Sequence, residues 1–345
     1  MNESVTTAKS GERFLALDAL RGLAILLMLL VNTFGISPAT PAQLRHASWH
    51  ESIHIADMAF PWFLLCVGVA IPFSAASFRN KGVPEWRYDL RVVRRTIILL
   101  ALGALLDSVG DVKLTLFSVG VLQTIAISYF FGVLLYDLPI HRRMTLAAMC
   151  LIGYWAAIKF IPVPGVGPGV INEQHNLIRH INSTYLGQVG LWNLPRIIPT
   201  TALVLIGTGI GDLVRVNADQ RWEAKWLLGL GVALVFGGLL WSISVPINKW
   251  VWTPSFILFS GGAGTIVMGL FHIAMDMKGL RKWGFPLIVF GSNAILAYVL
   301  PVLTKSLILN VFHVELSRWP SVILFTAFWW VILWVLYRRR IFLKV

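Results

Sequence analysis

The dominant pattern in this chain is an alternation between long apolar stretches and short polar segments. A helix that crosses a bilayer needs about 20 mostly apolar residues, and none of the long stretches shows the period of two that is typical of a half-buried strand. The pattern predicts an all-α, polytopic membrane protein with about ten transmembrane helices. The ten stretches lie near Leu15–Phe34, Ile53–Ser74, Val92–Leu106, Leu114–Leu135, Thr145–Ile161, Leu194–Leu213, Trp226–Val245, Trp252–Met275, Phe285–Leu300 and Val322–Leu336.

The first apolar stretch and the segment after the ninth one carry further information about the spans. The first stretch is predicted to be a span rather than a cleaved signal peptide, because Asp18 and Arg21 lie in its first turns and no small-residue cleavage site follows. Residues Val302–Arg318 follow Pro301. They form either a kinked extension of the ninth span or a short additional helix.

The composition agrees with a bilayer as the main solvent. Hydrophobic residues make up 57% of the 345 residues and charged residues only 13%, whereas an ordinary soluble domain carries about 25% charged residues. These figures exclude intrinsically disordered, collagen-like and disulfide-scaffold classes. Cys66 and Cys150 lie inside apolar stretches, so we interpret them as packing residues rather than as a disulfide or a metal site.

The distribution of Lys and Arg predicts the orientation of the chain. With ten spans and a cytoplasmic N-terminus, 20 of the 29 Lys and Arg residues fall on the cytoplasmic side, 8 fall outside, and Arg21 lies within the first helix. Cytoplasmic loops carry such an excess of positive charge, so both termini are predicted to be cytoplasmic. We therefore attribute the net charge of +13 to residues that orient the protein in a membrane rather than to a nucleic-acid-binding surface. Short loops and the lack of a targeting segment favour a bacterial inner membrane.

Residues 1–345 are predicted to form one membrane domain, since no linker is long enough to separate two. The longest polar connection is an outer segment over residues 162–195, which opens with the Pro- and Gly-rich run Pro162–Gly169. Those residues prevent a continuous helix. A loop of this length in a compact domain usually lines or covers a site.

The densest group of polar residues surrounds the first predicted outer loop. Asp57 lies about one turn into the second span, where an unpaired carboxylate costs about 2.5–3.5 kcal/mol on insertion scales. It therefore needs a partner, for which His46 and Arg45 are nearest in sequence. An ion pair that only fixes the loop is the alternative to a functional site. The full group is Asn32, Arg45, His46, Trp49, His50, Glu51, His54 and Asp57.

One interpretation of this group is a metal site. The segment His50-Glu51-Ser52-Ile53-His54 matches the H-E-x-x-H pattern, in which two His one helical turn apart bind zinc and the Glu acts as a base. His46 and Asp57 are potential further ligands. An intramembrane zinc hydrolase is therefore one alternative function. Another is a secondary transporter of a small polar solute, with a midplane site, although no inverted repeat is visible in the sequence.

A second interpretation comes from sequence motifs that recur in matching order along most of the chain. They resemble the heparan-α-glucosaminide N-acetyltransferase family of transmembrane acyltransferases, in its short bacterial form. His50, Glu51 and His54 stand outside these shared motifs, so no metal is expected. The motifs are Arg13–Gly22, Met28–Asn32, His46–Trp49, Ala56–Phe63, Pro246–Phe256 and Phe290–Tyr298.

The resemblance implies transfer of an acetyl group from cytosolic acetyl-CoA to an acceptor across the membrane. The catalytic residue of the family corresponds to His46, which acts either as a general base or as an acetyl carrier. Asn32 can donate a hydrogen bond to the carbonyl oxygen or orient the imidazole, and Asp57 can fix the His tautomer. The expected activity is N- or O-acetylation of an amino sugar or glycan on the periplasmic side, and a homodimer is compatible with the sequence.

Further residues are predicted to bind the two substrates. Arg91 or Arg95 would contact the phosphates of CoA, and Asn293 would either contact its arm or hold helices together. Trp49 would stack on a sugar, while Asn248 and Lys249 would meet the acceptor in a later outer loop. The family commonly carries an acidic Asp-Pro-Glu-Gly stretch before the sixth span. This chain reads Gly190–Arg196 there instead, which leaves open whether an amine or a hydroxyl is acetylated.

Overall fold

The computed structural model describes residues 14–35, 40–51, 53–110, 112–115, 117–216, 219–313, 316 and 318–343. The regular structure of these residues is helical, apart from two isolated β-bridges that join Val163 to Gly167 and Ile171 to Asn176. The predicted all-α class is confirmed for this part of the chain.

The helices follow one another with short connections. The α-helices are α1 Leu15–Phe34, α2 Ile55–Arg79, α3 Glu85–Gly110, α4 Val121–Leu134, α5 Ile140–Phe160, α6 Leu177–Ile181, α7 Ile197–Val216, α8 Gln220–Ser242, α9 Pro254–Phe271, α10 Phe285–Ser292, α11 Ala294–Phe312 and α12 Trp319–Arg338. Three 3₁₀ turns cover Ala42–Leu44, Gly187–Val189 and Leu194–Arg196, and two π-helical turns cover Asn182–Leu186 and His272–Met277.

Seven helical segments of the described chain are long and apolar enough to cross a membrane, and they make this an integral membrane protein. They are Leu15–Phe34, Ile55–Arg79, Leu194–Val216, Gln220–Ser242, Pro254–Met277, Ala294–Phe312 and Trp319–Arg338. The other predicted spans coincide with α3, α4 and α5, which are helical but shorter or more polar. The count of ten spans and the cytoplasmic position of both termini therefore remain predictions.

The predicted ninth span, Phe285–Leu300, is wrong as a single helix. The helical hydrogen bonds are interrupted at Asn293, and α11 then runs through Pro301 to Phe312. Asn293 has a non-helical backbone, and its side chain binds the chain near the C-terminus: Nδ2 donates to Ile341 O at 3.0 Å, and Oδ1 accepts from Leu343 N at 3.0 Å. Of the two alternatives for Val302–Arg318, the structure has the extension, as far as Phe312.

The core is formed where α1 and α2 pack against α7, α9 and α10. Glycines allow the closest approaches, as is common between membrane helices. A Cβ atom added at Gly22 would lie 1.8 Å from Leu287 O, and one at Gly68 would lie 2.3 Å from Val204 O. Because no side chain fits at these crossings, α1 is held against α10 and α2 against α7 at fixed positions.

The polar connections gather at two opposite ends of the bundle. One end, called here the site end, contains residues 40–51, 53–54, 112–115, 117–120, 161–196 and 243–253. They are joined by bonds such as Trp250 Nε1 to Ala47 O at 3.1 Å. At the other end, the Asp276 carboxylate accepts from Leu15 N and Ala16 N, and Arg143 pairs with Asp212. The segments predicted to be outer loops thus lie together.

Candidate functional site

The connection between α1 and α2 presents His46 beside the first turn of α2. His54 precedes the helix, and its backbone N–H donates to Asp57 Oδ2 at 3.0 Å in a capping arrangement. A carboxylate is favourable there because it faces the unpaired N–H groups at a helix N-terminus. The same turn that begins α2 therefore fixes the position of the Asp57 carboxylate.

Asp57 is the centre of a buried polar cluster. Its Oδ1 lies 3.1 Å from His46 Nδ1 and 2.8 Å from Lys249 Nζ, and its Oδ2 accepts from Ala47 N at 3.4 Å. The side chain of Asp57 is 1% exposed, so these partners replace the water that it loses. Of the two partners expected from the sequence, His46 is present, whereas Arg45 pairs with Glu51.

His46 is oriented for proton or group transfer. A carboxylate can only accept, so Nδ1 donates a hydrogen bond to Asp57, and Nε2 is the atom that carries the lone pair in the neutral form of this imidazole. Nε2 has no hydrogen-bond partner among the described residues, and the side chain is 47% exposed. This is the arrangement by which an acid orients a catalytic imidazole.

Lys249 belongs to a loop, residues 245–253, that is held by its own hydrogen bonds. Asn248 Oδ1 accepts from Trp250 N at 2.8 Å and from Val251 N at 3.2 Å. The amide oxygen of the buried Asn248 is thus used within the loop itself, so the structure does not place this side chain where acceptor contact was predicted. Burial lowers the pKa of Lys249, and the Asp57 carboxylate opposes this effect.

Two cavities meet at His46. The outer one has a volume of about 800 Å³ and opens at the site end, whereas the deeper one, of about 320 Å³, also reaches Asp57 and Lys249. Residues that line both cavities include His46, Asn32 and Trp250. A molecule in either cavity can therefore reach the same imidazole, and the predicted residues His46, Asn32 and Asp57 are brought together.

A third, small cavity continues the deeper one toward the interior. It shares Met28, Val121 and Tyr298 with the deeper cavity and is also lined by Arg95 of α3. The Arg95 guanidinium lies over the Tyr129 ring at 4.5 Å, and its Nε is buried without a hydrogen-bond partner in the described chain. Arg95 lies roughly 15 Å along α3 from its first turn, rather than at the mouth of the helix.

The other two residues predicted to bind CoA lie away from these cavities. Arg91 is exposed, and its guanidinium lies 4.9 Å from the centre of the Phe78 ring. The amide of Asn293 is bonded to Ile341 and Leu343. These contacts match the second role predicted for it, in which it holds parts of the protein together. Of the two arginines predicted to bind CoA, Arg95 is the one that lines a cavity.

The outer segment 162–195 lines the outer cavity, as a loop of its length suggested. It contributes Glu173, Arg179 and Trp192, while Trp49 comes from the first loop. The sequence did not identify Glu173 or Arg179 as site residues, because nothing in the local pattern shows which residues of a long irregular loop face inward. Exposed aromatic and polar side chains around a cavity of this size are suited to a polar, ring-shaped ligand.

The zinc-binding pattern does not form its expected geometry. It requires two His on one helical turn, but His50 and His54 precede α2, and His54 Nδ1 lies 3.0 Å from Arg45 O. Hydrogen bonds from the Ser48 N–H and from Arg45 lower the pKa of Glu51. Ser52 lies outside the described residues. Among those that are described, no three His, Cys, Asp or Glu side chains converge as metal ligands.

The fold and the site together define a class: integral membrane proteins of helical architecture with a histidine–carboxylate pair where two cavities meet. A family model for the catalytic region of heparan-alpha-glucosaminide N-acetyltransferase matches residues 13–238. The chain belongs to this family, and the resemblance seen in its motifs is confirmed.

Two curated relatives carry the same name. The chain is 25% identical to heparan-alpha-glucosaminide N-acetyltransferase of Mus musculus over 416 aligned positions, which cover 99% of this chain and 62% of the mouse protein. It is also 25% identical to the Homo sapiens protein of that name, with 96% of this chain and 60% of the human protein covered. The chain thus spans about three-fifths of the length of these relatives.

Proposed function

We propose that this protein is a transmembrane acetyltransferase that moves an acetyl group from cytosolic acetyl-CoA to a sugar or glycan on the outer side of a bacterial inner membrane. The observation that carries the proposal is the position of His46, whose Nδ1 is bound to Asp57 and whose side chain lines both cavities. One cavity would hold the donor and the other the acceptor. The family of the chain supports this reaction.

The donor would enter from the side opposite the outer cavity. Arg95 supplies a cation without an acidic partner in the described chain, and phosphate groups are bound by such guanidinium groups. The small cavity has a volume of about 20 Å³, so the side chains around Tyr298 would have to move apart for the pantetheine arm to pass into the deeper cavity, which shares that residue. The thioester would then lie beside His46.

The chemistry that follows is acyl transfer. His46 Nε2 takes the proton from the acceptor amine or hydroxyl, whose N or O atom then attacks the carbonyl carbon of the thioester. In the alternative route His46 Nε2 attacks first, and acetyl-His46 passes the acetyl group to the acceptor. Asp57 stabilises the imidazolium in the first route, and Asn32, which lines both cavities, can donate to the carbonyl oxygen.

The acceptor would bind in the outer cavity. Trp49 and Trp192 line it together with the amides Asn32 and Asn193, a combination that suits stacking and hydrogen bonding to a sugar. The names of the curated relatives specify a glucosaminide as their acceptor. For this chain we propose an amino sugar or a sugar hydroxyl.

The experiment that tests this function is a thermal unfolding series on the purified, detergent-solubilised protein with acetyl-CoA. A ligand of the folded state raises apparent stability, by about 2.7 kcal/mol at 100 times its Kd. We expect stabilisation that weakens with salt, because phosphate contacts with Arg95 are screened. Arg95→Met should reduce the shift, whereas the matched variant Arg91→Met should retain it. No stabilisation of the wild type at millimolar acetyl-CoA would contradict the proposed function.

A further inference from the structure

Arg196 is a cation in the deeper cavity that the sequence did not identify as a functional residue. It ends the 3₁₀ turn Leu194–Arg196 directly before α7 and lines the same cavity as His46 and Asn32. It lies in the segment where this chain lacks the acidic stretch common in the family.

The guanidinium of Arg196 is fixed by neutral acceptors. Its Nε donates to Thr124 Oγ1 at 3.0 Å, and its Nη2 donates to Gly120 O at 2.9 Å and to Val119 O. No hydrogen bond is made by Nη1 within the described chain, and this atom is not among the fully buried unpaired ones. Nη1 is therefore the donor that remains for a molecule in the cavity.

The Asp107 carboxylate favours the charge of Arg196 at a distance, without direct contact. Arg196 forms no ion pair in the described part of the chain. Asp107 of the adjacent α3 binds Ser118 and accepts from Gln123 Nε2 at 2.8 Å instead. The guanidinium also lies at the N-terminal end of α7 and against that of α4, where the helix dipoles are positive. Negative charge that develops on a bound substrate during the reaction would therefore be stabilised by this guanidinium.

We propose that Arg196 is a further catalytic residue, whose Nη1 binds the carbonyl oxygen of the acetyl thioester and stabilises the oxyanion formed on it. The inference rests on the proposed acetyl transfer. The reacting thioester must lie in a cavity that His46 lines, and the deeper cavity is the one that continues toward Arg95 through Tyr298. The CoA phosphates would then lie near Arg95, so the developing negative charge next to Arg196 is that of the acyl group.

The step balances without another reactant. The acceptor N or O forms a bond to the carbonyl carbon and the C=O π pair moves to oxygen, which becomes the oxyanion held by Arg196. When this pair returns, the C–S bond breaks and CoA leaves as thiolate. The proton taken from the acceptor by His46 passes to that thiolate. In the acetyl-His46 route, the same oxygen carries the charge in both half-reactions, so Arg196 has the same role.

Steady-state kinetics with acetyl-CoA and glucosamine as the probe acceptor test the role in catalysis. Arg196→Met should lower kcat by about 10²–10³-fold, as for loss of one oxyanion donor, and raise the KM for acetyl-CoA by a much smaller factor, because the oxyanion is bound more strongly than the ground-state carbonyl oxygen. Arg196→Lys should recover part of this loss, because a Lys supplies the charge without the rigid geometry of a guanidinium. The matched control is Arg318→Met, at an exposed arginine outside the three cavities.

A binding measurement separates this role from folding and from phosphate recognition. Wild-type protein should be stabilised more by acetyl-CoA than by S-ethyl-CoA, a thioether without the carbonyl oxygen, and Arg196→Met should abolish that difference while both compounds still bind. Equal loss of both compounds would overturn the proposal in favour of phosphate binding or a structural role. A rise only in the KM for glucosamine, or full activity of Arg196→Met, would also overturn it. If wild-type protein bound neither compound, the proposed acetyl transfer itself would fail.

Discussion

Lys249 Nζ lies 2.8 Å from Asp57 Oδ1, the same oxygen atom that lies 3.1 Å from His46 Nδ1. The carboxylate is thus shared between a cation from the loop before α9 and the imidazole from the loop before α2. Lys249 was predicted to meet the acceptor, but its side chain is 17% exposed and its ammonium pairs with Asp57. We therefore expect Lys249 to influence His46 through the charge of Asp57.

The first prediction concerns the pH dependence of this pair. Burial lowers the pKa of Lys249 below its ordinary value of 10.5, so its proton is lost at lower pH than that of a solvated lysine. As the pH rises through the pKa of Lys249, Asp57 loses its cation, and kcat should fall. This fall forms the alkaline limb of the pH profile. Lys249→Arg should move the limb to higher pH, because Arg stays protonated. The measurement is kcat against pH for both proteins, and identical alkaline limbs would refute the coupling.

The free energy of unfolding provides the control for that experiment. Because the pKa of Lys249 is lowered in the folded protein, the unfolded chain binds more protons between the two pKa values. The contribution of Lys249 to the free energy of unfolding therefore increases with pH through this window. A loss of activity there with an unchanged or higher melting temperature would report on the site and not on unfolding.

The second prediction ranks substitutions around His46. His46→Ala should abolish transfer and leave acetyl-CoA binding intact, since loss of a general base typically costs about 10²–10⁴-fold. Asp57→Asn should be less severe, because the amide keeps the volume of the side chain but cannot stabilise an imidazolium. The matched control is His50→Ala, in the outer cavity but without contact to Asp57. Equal losses at His46, His50 and His54 would favour a metal site instead.

The third prediction concerns sidedness. In a Cys150→Ser background, a cysteine at the exposed Ala42 should react with an impermeant thiol reagent added outside intact cells. A cysteine at the exposed Lys81, at the opposite end of the bundle, should react only after permeabilisation. Cys66 is buried and contributes little background. The reverse labelling pattern would contradict the orientation expected from the Lys and Arg distribution and would place His46 on the cytoplasmic side.

Sequence reasoning located the helices well because their signal is local. α1 begins and ends where the apolar stretch does, at Leu15 and Phe34. It was wrong at Asn293, where the helix is interrupted and the side chain bonds to Ile341 and Leu343, about fifty positions away. No periodicity in residues 285–300 contains that information.

The part of the site that was predicted is the part whose residues are close together in the sequence. The pair of His46 and Asp57 spans 11 positions and follows from the cost of a buried carboxylate. Lys249 joins the pair from 192 positions away, and Arg196 is fixed by residues at the start of α4 and directly before it, more than 70 positions distant. Such contacts arise from the packing of the helices, so the sequence alone could name Lys249 but not its partner.

The last prediction tests the packing that holds α1, and with it Asn32, in place. A Cβ atom at Gly22 would lie 1.8 Å from Leu287 O and 3.0 Å from Gly291 N, both backbone atoms that cannot rotate away. Gly22→Ala should therefore force α1 and α10 apart and cost more than the roughly 1–3 kcal/mol typical of overpacking. The matched control is Gly153→Ala on α5, where nothing lies within 4 Å of the added Cβ atom. That change should be neutral or slightly stabilising, since Ala has the higher helix propensity. Thermal unfolding of both variants in the same detergent compares them, and equal melting temperatures would refute the contact between α1 and α10.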